Sequence, residues 1–347
     1  MGRIAVLFAA ITGSAVVCSA ATPDQCHEMT HRGQTAEARK CYQALTQDSQ
    51  SYLKAEGYWG LKMYQDANNA FRAAVAQNDG NAMYRVRWGM LLHERFNNAD
   101  AAGLFNEALQ HDPKNAQAYY GLALLSADGY DDKALEYSIK AITLDPKLVE
   151  AHELLASLHL EDSDTKSALS EADEALKLSP EALDAMAIHG AVELLGDRSP
   201  DEWIQKILAV NPSYGEGYAL IAHHLMLNRR YTDSIAYYRK AIAVEPDLWS
   251  AHSQLGINLM RLGQDDEAYK ELELAYNNAF TDFATSNSLK LLDSNRKNFV
   301  TVKDGPMILK FDKRQADALT PYYEQVMKDA IAAYEKKYQM TLPGPVQ

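Results

Sequence analysis

One feature of this sequence constrains its fold more than any other: a proline preceded by an acidic or small polar residue returns at an almost fixed interval. The pairs are Asp112-Pro113, Asp145-Pro146, Ser179-Pro180, Asn211-Pro212 and Glu245-Pro246, and Asp79-Gly80 takes the same place one period earlier. Successive prolines lie 33, 34, 32 and 34 residues apart. Self-similarity at such a period signals stacked units that bury one another rather than a globule around a single core.

A second rhythm fixes what each unit is. Ala101, Phe105 and Ala108 precede Pro113; Ala134, Ser138 and Ala141 precede Pro146; Ala168, Ala172 and Ala175 precede Pro180; Ser234, Tyr238 and Ala241 precede Pro246. Steps of four and three place each set on one face of a helix. Upstream of each set a further residue, Gly89, Leu122, Ala156, Ala222 or Gly256, belongs to its own helix. Helices approach closely only where neither carries bulk at the crossing, so the unit is an antiparallel helix pair, ended by a proline that forbids continuation.

These residues closely resemble the tetratricopeptide repeat (TPR), down to Trp88-Gly89, Leu155-Ala156 and Leu255-Gly256 on first helices. The resemblance implies an all-α TPR-type solenoid over residues 22–285, a right-handed superhelix of about seven to eight helix pairs. The unit at 183–212 departs from the pattern, with Pro200, Trp203, Ile204 and Ile207 where small residues are expected, and its local packing is open.

Such an array implies a groove for a protein or peptide partner, walled by the first helix of every pair. Carried over from the resemblance, the groove-facing candidates are Val86, Met90, His93, Glu153, Ser157, His223, Met226, Ser253, Ile257 and Met260. The wall reads as mixed rather than basic. Nucleic acid and anionic membrane are disfavoured partners, because the formal charge is −13, from 47 acidic and 34 basic residues.

The chain opens with Met1-Gly2-Arg3, an apolar run from Ile4 to Val17, and small residues at Ser19-Ala20-Ala21. That is the pattern of a secretory signal over residues 1–21, and the run is shorter than the ~20 residues a membrane span needs. Export to the periplasm or cell envelope is therefore expected. It leaves Cys26 and Cys41 as an even pair in an oxidising compartment, which favours a disulfide over two reduced core cysteines. Thr22-Pro23-Asp24-Gln25 reads as a helix start and Gly33 as its stop, so the two cysteines face each other across the first hairpin.

Within that hairpin His27-Glu28-Met29-Thr30-His31 matches HExxH, and Glu56 can be nominated as a third zinc ligand. The context argues against it, because the helix is short and lacks a surrounding sheet or cleft. With Cys26 facing its partner, His27 and His31 turn away by about 100° and 140°, onto the outer surface. No catalytic residue and no cofactor are assigned to this chain.

Beyond Tyr276 the alanine rhythm ends. Residues 286–347 read as a capping helix, a hairpin of Phe299–Lys303 and Met307–Phe311 around Asp304-Gly305-Pro306, and a long helix from about Lys313 to Tyr338. A lone hairpin is marginal in water, so this segment reads as the start of a second domain. With Leu342-Pro343-Gly344-Pro345-Val346 it resembles the opening of the metallopeptidase domain in exported bacterial proteins that join TPR arrays to a gluzincin-type zinc peptidase. That resemblance implies zinc only in a domain beyond residue 347. The competing reading is a cap private to the solenoid.

Overall fold

The computed structural model describes residues 21–129, 132–342 and 346. All of the expected signal segment except Ala21 lies outside the described residues. Eight helix pairs follow in order: α1 (Pro23–His31) and α2 (Thr35–Leu45), α3 (Ser51–Gly60) and α4 (Tyr64–Gln77), α5 (Ala82–Glu94) and α6 (Asn98–His111), α7 (Ala116–Asp128) and α8 (Lys133–Leu144). Then come α9 (Val149–Glu161) and α10 (Thr165–Leu178), α11 (Leu183–Leu195) and α12 (Asp201–Val210), α13 (Glu216–Leu227) and α14 (Tyr231–Val244), α15 (Trp249–Arg261) and α16 (Asp265–Asn277). The chain finishes with α17 (Phe283–Asn298), β1 (Phe299–Asp304), β2 (Met307–Asp312) and α18 (Ala316–Tyr338). The fold is the expected all-helical TPR-type solenoid with a small C-terminal hairpin and helix.

Local chemistry sets the boundaries. Thr22 and Gln25 form a reciprocal capping box at α1, and Asn81, Asn97, Asn115 and Asp164 cap α5, α6, α7 and α10. Each satisfies backbone N–H groups that a helix start leaves open. The residues before the repeating prolines, such as Asp112 and Asp145, have left helical geometry, as a following proline requires.

The small residues do what their spacing predicts. Ala101, Ala108, Ala141, Ala168, Ala172, Ala175 and Ala241 are completely buried. Phe105 fills the gap between successive first helices. A Cβ on Gly89 or Gly121 would stand 2.6 or 2.4 Å from its ring, closer than side chains tolerate, so glycine there is a packing requirement.

Two histidines brace the stack in one repeated arrangement. His152 Nδ1 lies 2.7 Å from Glu171 and Nε2 3.3 Å from the Pro146 carbonyl; His252 makes the same pair of contacts with Glu271 at 2.6 Å and Pro246 at 3.2 Å. In both, each ring nitrogen faces an acceptor. Burial works to lower the His252 pKa, yet the Glu271 carboxylate and the Pro246 carbonyl together prevail and raise it.

The unit that lost its alanines keeps its place by another route. Pro200 sits at the start of the short α12, whose buried Ile204 and Ile207 are too bulky for close insertion. Instead α13 packs directly on α11, with Ile221 against Gly190.

First helices of neighbouring pairs touch one another, as α1 with α3, α5 with α7, α7 with α9, α9 with α11 and α13 with α15. They therefore form the inside of the curve. The superhelix winds tightly enough for successive turns to meet. Asn211 reaches the Thr30 carbonyl, Lys62 pairs with Asp247, and Arg95 donates to the Ala279 carbonyl, across separations of 181, 185 and 184 residues. Three near-equal separations mean one full turn takes five to six units.

Cys26 and Cys41 are joined by a disulfide with Cα atoms 5.4 Å apart, inside the cluster of Ala38, Tyr42 and Leu45. At the other end β1 and β2 pair antiparallel, Phe299 opposite Asp312. Leu309 and Phe311 pack with Ala316 beneath α18, and Val346 adds a parallel bridge to Met307. Among the described residues no helix is long and apolar enough to cross a membrane.

Candidate functional site

The bore enclosed by the first helices has two zones. The N-terminal zone centres on Glu56 of α3, a carboxylate with no solvent exposure. Arg87 of α5 grips both its oxygens at 2.7 Å, and His27 Nε2 of α1 lies 3.5 Å away. The guanidinium also covers the Trp59 ring at 4.5 Å. Burial works to raise the Glu56 pKa, but the hydrogen bonds from Arg87 and His27 overcome it and hold the carboxyl at about 2. This carboxylate is fully compensated.

The second zone has no such compensation. Glu150 and Glu153 of α9, Asp184 of α11 and Glu216 of α13 converge on the same stretch of wall. Glu153 accepts from the Ala185 backbone N–H at 3.1 Å and Asp184 from the Tyr214 hydroxyl at 2.5 Å. Among the described residues, no lysine or arginine pairs with any of the four. Desolvation first, then the Asp184 charge, raise Glu153 to about 8. The same two causes raise Glu216 to about 8, with Glu245 adding to them. Glu216 is reached by solvent although protein crowds around it, as for a side chain lining an open cavity. A cavity of about 480 Å³ opens here, lined by Asp184, Tyr214, Glu216, His223, Ser250 and Gln254 among others.

The structure scatters the groove candidates. Glu153 reaches the acidic zone, and His223 lines the cavity while holding Glu161 at 3.2 Å. Val86 does not face the groove: it is buried among Ala101, Phe105 and Leu122, and Met90 packs beside it. His93 is tied to Asp128 at 2.9 Å, and Ser157 to the buried His224 at 3.3 Å. Met226 is buried, Ile257 and Met260 pack against the main core, and Ser253 lies beneath α17, bonded to Thr285 at 2.6 Å. The tight winding is the reason, because positions on either side of the crossing residue, such as Val86 before Gly89 and Ser253 before Gly256, are taken by the next first helix or by α17.

The HExxH histidines also need correction, since neither lies on the outer surface. His27 faces Glu56 and the Tyr42 ring; His31 Nε2 sits 3.0 Å from the Glu181 carbonyl on the next superhelical turn. Superhelical closure covers the face that the disulfide leaves free. The two rings serve separate partners, and Arg87 occupies the nominated third ligand, Glu56.

The acidic zone was missed although its signal is present. Glu150, Asp184 and Glu216 each lie four residues after a repeating proline, Pro146, Pro180 and Pro212. Acids in a first helical turn ordinarily read as complements to the helix dipole, which hides a column at unit spacing.

Comparison with known proteins agrees with this architecture. The tetratricopeptide-repeat family profile matches residues 52–116, 87–146 and 220–281. A TPR repeat-containing thioredoxin from Arabidopsis thaliana is 28% identical over 102 residues, 29% of this chain and only 15% of that protein's length. The solved APC/C hetero-tetramer Cut9-Hcn1 superposes over 77% of this chain and 54% of the matched one, with TM-score 0.50 and 13% identity. A tetratricopeptide repeat protein from Parabacteroides merdae covers 71% of this chain at TM-score 0.47 and 17% identity.

Proposed function

We propose that this chain, built of tetratricopeptide repeats, is a protein-interaction scaffold whose bore takes up an extended, basic segment of a partner protein. TPR arrays commonly receive peptide on the wall of their first helices. The observation that carries the reading is the column Glu150, Asp184 and Glu216, with Glu153 beside it, four carboxyls gathered on one wall without a lysine or arginine partner among the described residues. Crowding by protein and by one another favours the protonated form of Glu153 and Glu216, and an arriving lysine or arginine supplies the cation that lets them ionise. Tyr120 and Tyr214 flank the column. Burial raises both hydroxyl pKa values, so they stay neutral hydrogen-bonding walls.

The test is calorimetric titration with a ten-residue peptide alternating lysine and serine, against its glutamate counterpart. Binding of the first alone supports the proposal. Equal binding of both, or of neither, overturns the basic-partner reading.

We extend the proposal to location and context. The apolar leader and the Cys26–Cys41 pair support export to a cell envelope. The C-terminal sheet, which Val346 extends beside Met307, supports a second reading, in which the solenoid recruits substrate for a gluzincin-type zinc peptidase. An HExxH encoded within about a hundred residues beyond Gln347 would support it, and its absence would remove it.

A further inference from the structure

We propose that the line where successive superhelical turns meet is a latch, and that its parting admits a partner segment sideways into the bore. The bore is a passage with touching edges, so a segment flanked by folded domains cannot thread in from an end. It must enter through the edge, and the edge is the softest part of the molecule. Within a turn, neighbouring pairs join through buried apolar clusters, one continuous from Ala156 to Leu292 and smaller ones along the earlier pairs. Between turns the contacts are polar ones of helix ends and loops: Arg32 with Glu181 at 2.7 Å, His31 with the Glu181 carbonyl, Asn211 with Thr30, Lys62 with Asp247 at 3.0 Å and Arg95 with the Ala279 carbonyl. Lys62 and Asp247 are 65% and 59% exposed, and Arg32 and Glu181 42% and 38%. Such exposed pairs contribute little and weaken with salt. Phe96 against Phe280, centroids 4.9 Å apart, adds an apolar contact, and it stands at the far end from α1.

The latch therefore opens from the α1–α2 hairpin inward. The disulfide makes that hairpin a rigid tongue. Its tip, at His31 and Arg32, rests on Glu181, three residues before Asp184 of the acidic column. Lifting the tip uncovers the zone described above.

The inference rests on the bore being the binding site, so its test has one arm independent of any ligand. Spin labels at Arg39→Cys and Gln205→Cys, both exposed and on opposite sides of the edge, report the opening by pulsed dipolar spectroscopy in the full chain carrying Cys18→Ser. A second, longer distance that grows in 1 M NaCl and with Arg32→Glu, and shrinks again in Arg32→Glu/Glu181→Arg, is expected. One distance unmoved by salt or by Arg32→Glu overturns the latch whether or not any peptide binds. The second arm joins Lys62→Cys to Asp247→Cys with a short bis-maleimide. The lysine–serine peptide with free ends should still bind the closed protein. The same peptide fused between two folded domains should associate at least tenfold more slowly than with the unlinked protein. Equal rates for that fusion overturn the sideways route, and failure of both probes on unlinked protein counts against the basic-partner reading alone.

Discussion

The two zones of the bore hold the same chemical group in opposite states. Glu56 is buried and ionised, because Arg87 and His27 reach it. Glu153 and Glu216 are crowded by protein and by other acids, so their pKa values rise to about 8. The difference teaches which carboxylates serve folding and which are left for something else. A charge matched within the chain is part of the structure, and one left unmatched costs stability that a purely structural residue has no reason to spend.

The strongest way to break this contrast is to remove the match. Arg87→Met should strand Glu56 among apolar neighbours and destabilise the chain by about 3–5 kcal/mol, as loss of one partner of a buried pair does. Urea denaturation reads it. A loss under 1 kcal/mol would mean that Glu56 is solvated and the two zones are alike. Glu56→Gln in the Arg87→Met background should recover part of the loss, since the stranded charge is gone.

The disulfide gives the next largest effect and belongs to the same matched end. Cys26→Ser/Cys41→Ser opens a link between residues 15 apart and should cost roughly 3 kcal/mol. The loss should appear first in amide exchange of α1 and α2. Uniform exchange through all eight pairs would show that the first hairpin is not an independent end piece.

The acidic zone should behave in the opposite sense. Asp184→Asn and Glu216→Gln keep hydrogen-bonding atoms and remove charge, so stability at pH 8 should hold or rise while affinity for the lysine–serine peptide falls at least tenfold. The pH dependence sharpens the contrast. Glu216 is raised in the folded state, so its contribution is complete below about pH 4.5, its unfolded value, and is lost as pH climbs through about 8. Glu56 is depressed, so its contribution is present above about 4.5 and disappears as pH falls through about 2. Thermal melts should therefore lose stability between pH 5 and 8 in the wild type and less so in Glu216→Gln. Identical slopes would put Glu216 in ordinary solvent.

Much of the fold was legible because it is written in repeats. Pro113 to Pro246 and the alanine faces each restate one instruction, and the structure obeys it down to α2 running from Thr35 to Leu45. The bore was harder to read. Placing Val86 and Ser253 on its wall assumed a gently wound superhelix, whereas here the next helix covers both. Glu56 was singled out beside His27, and that proximity is real. Arg87 was not foreseen, because it comes from α5, 31 residues away, and reaches Glu56 only once α3 and α5 stack. His27 and His31 misled for the same reason, since their side of α1 is turned to Glu56 and to the second turn while Asp24, Gln25 and Glu28 keep the exposed face. Superhelical pitch is a property of many small rotations added together, and no single unit of sequence displays it.

The smallest expected effect lies at the edge between turns. Lys62→Ala removes an ion pair in which both side chains are mostly in water, and the change in global stability should stay within about 1 kcal/mol. Lys62 also holds φ at +60°, where glycine is comfortable and other residues are strained. Lys62→Gly therefore relieves strain while breaking the same pair. If the pair matters little, Lys62→Gly should be at least as stable as the wild type by differential scanning calorimetry. A Lys62→Ala loss well above that bound would make the edge as firmly matched as the Glu56 zone, and the unmatched acids would then lie inside a tube with no soft side.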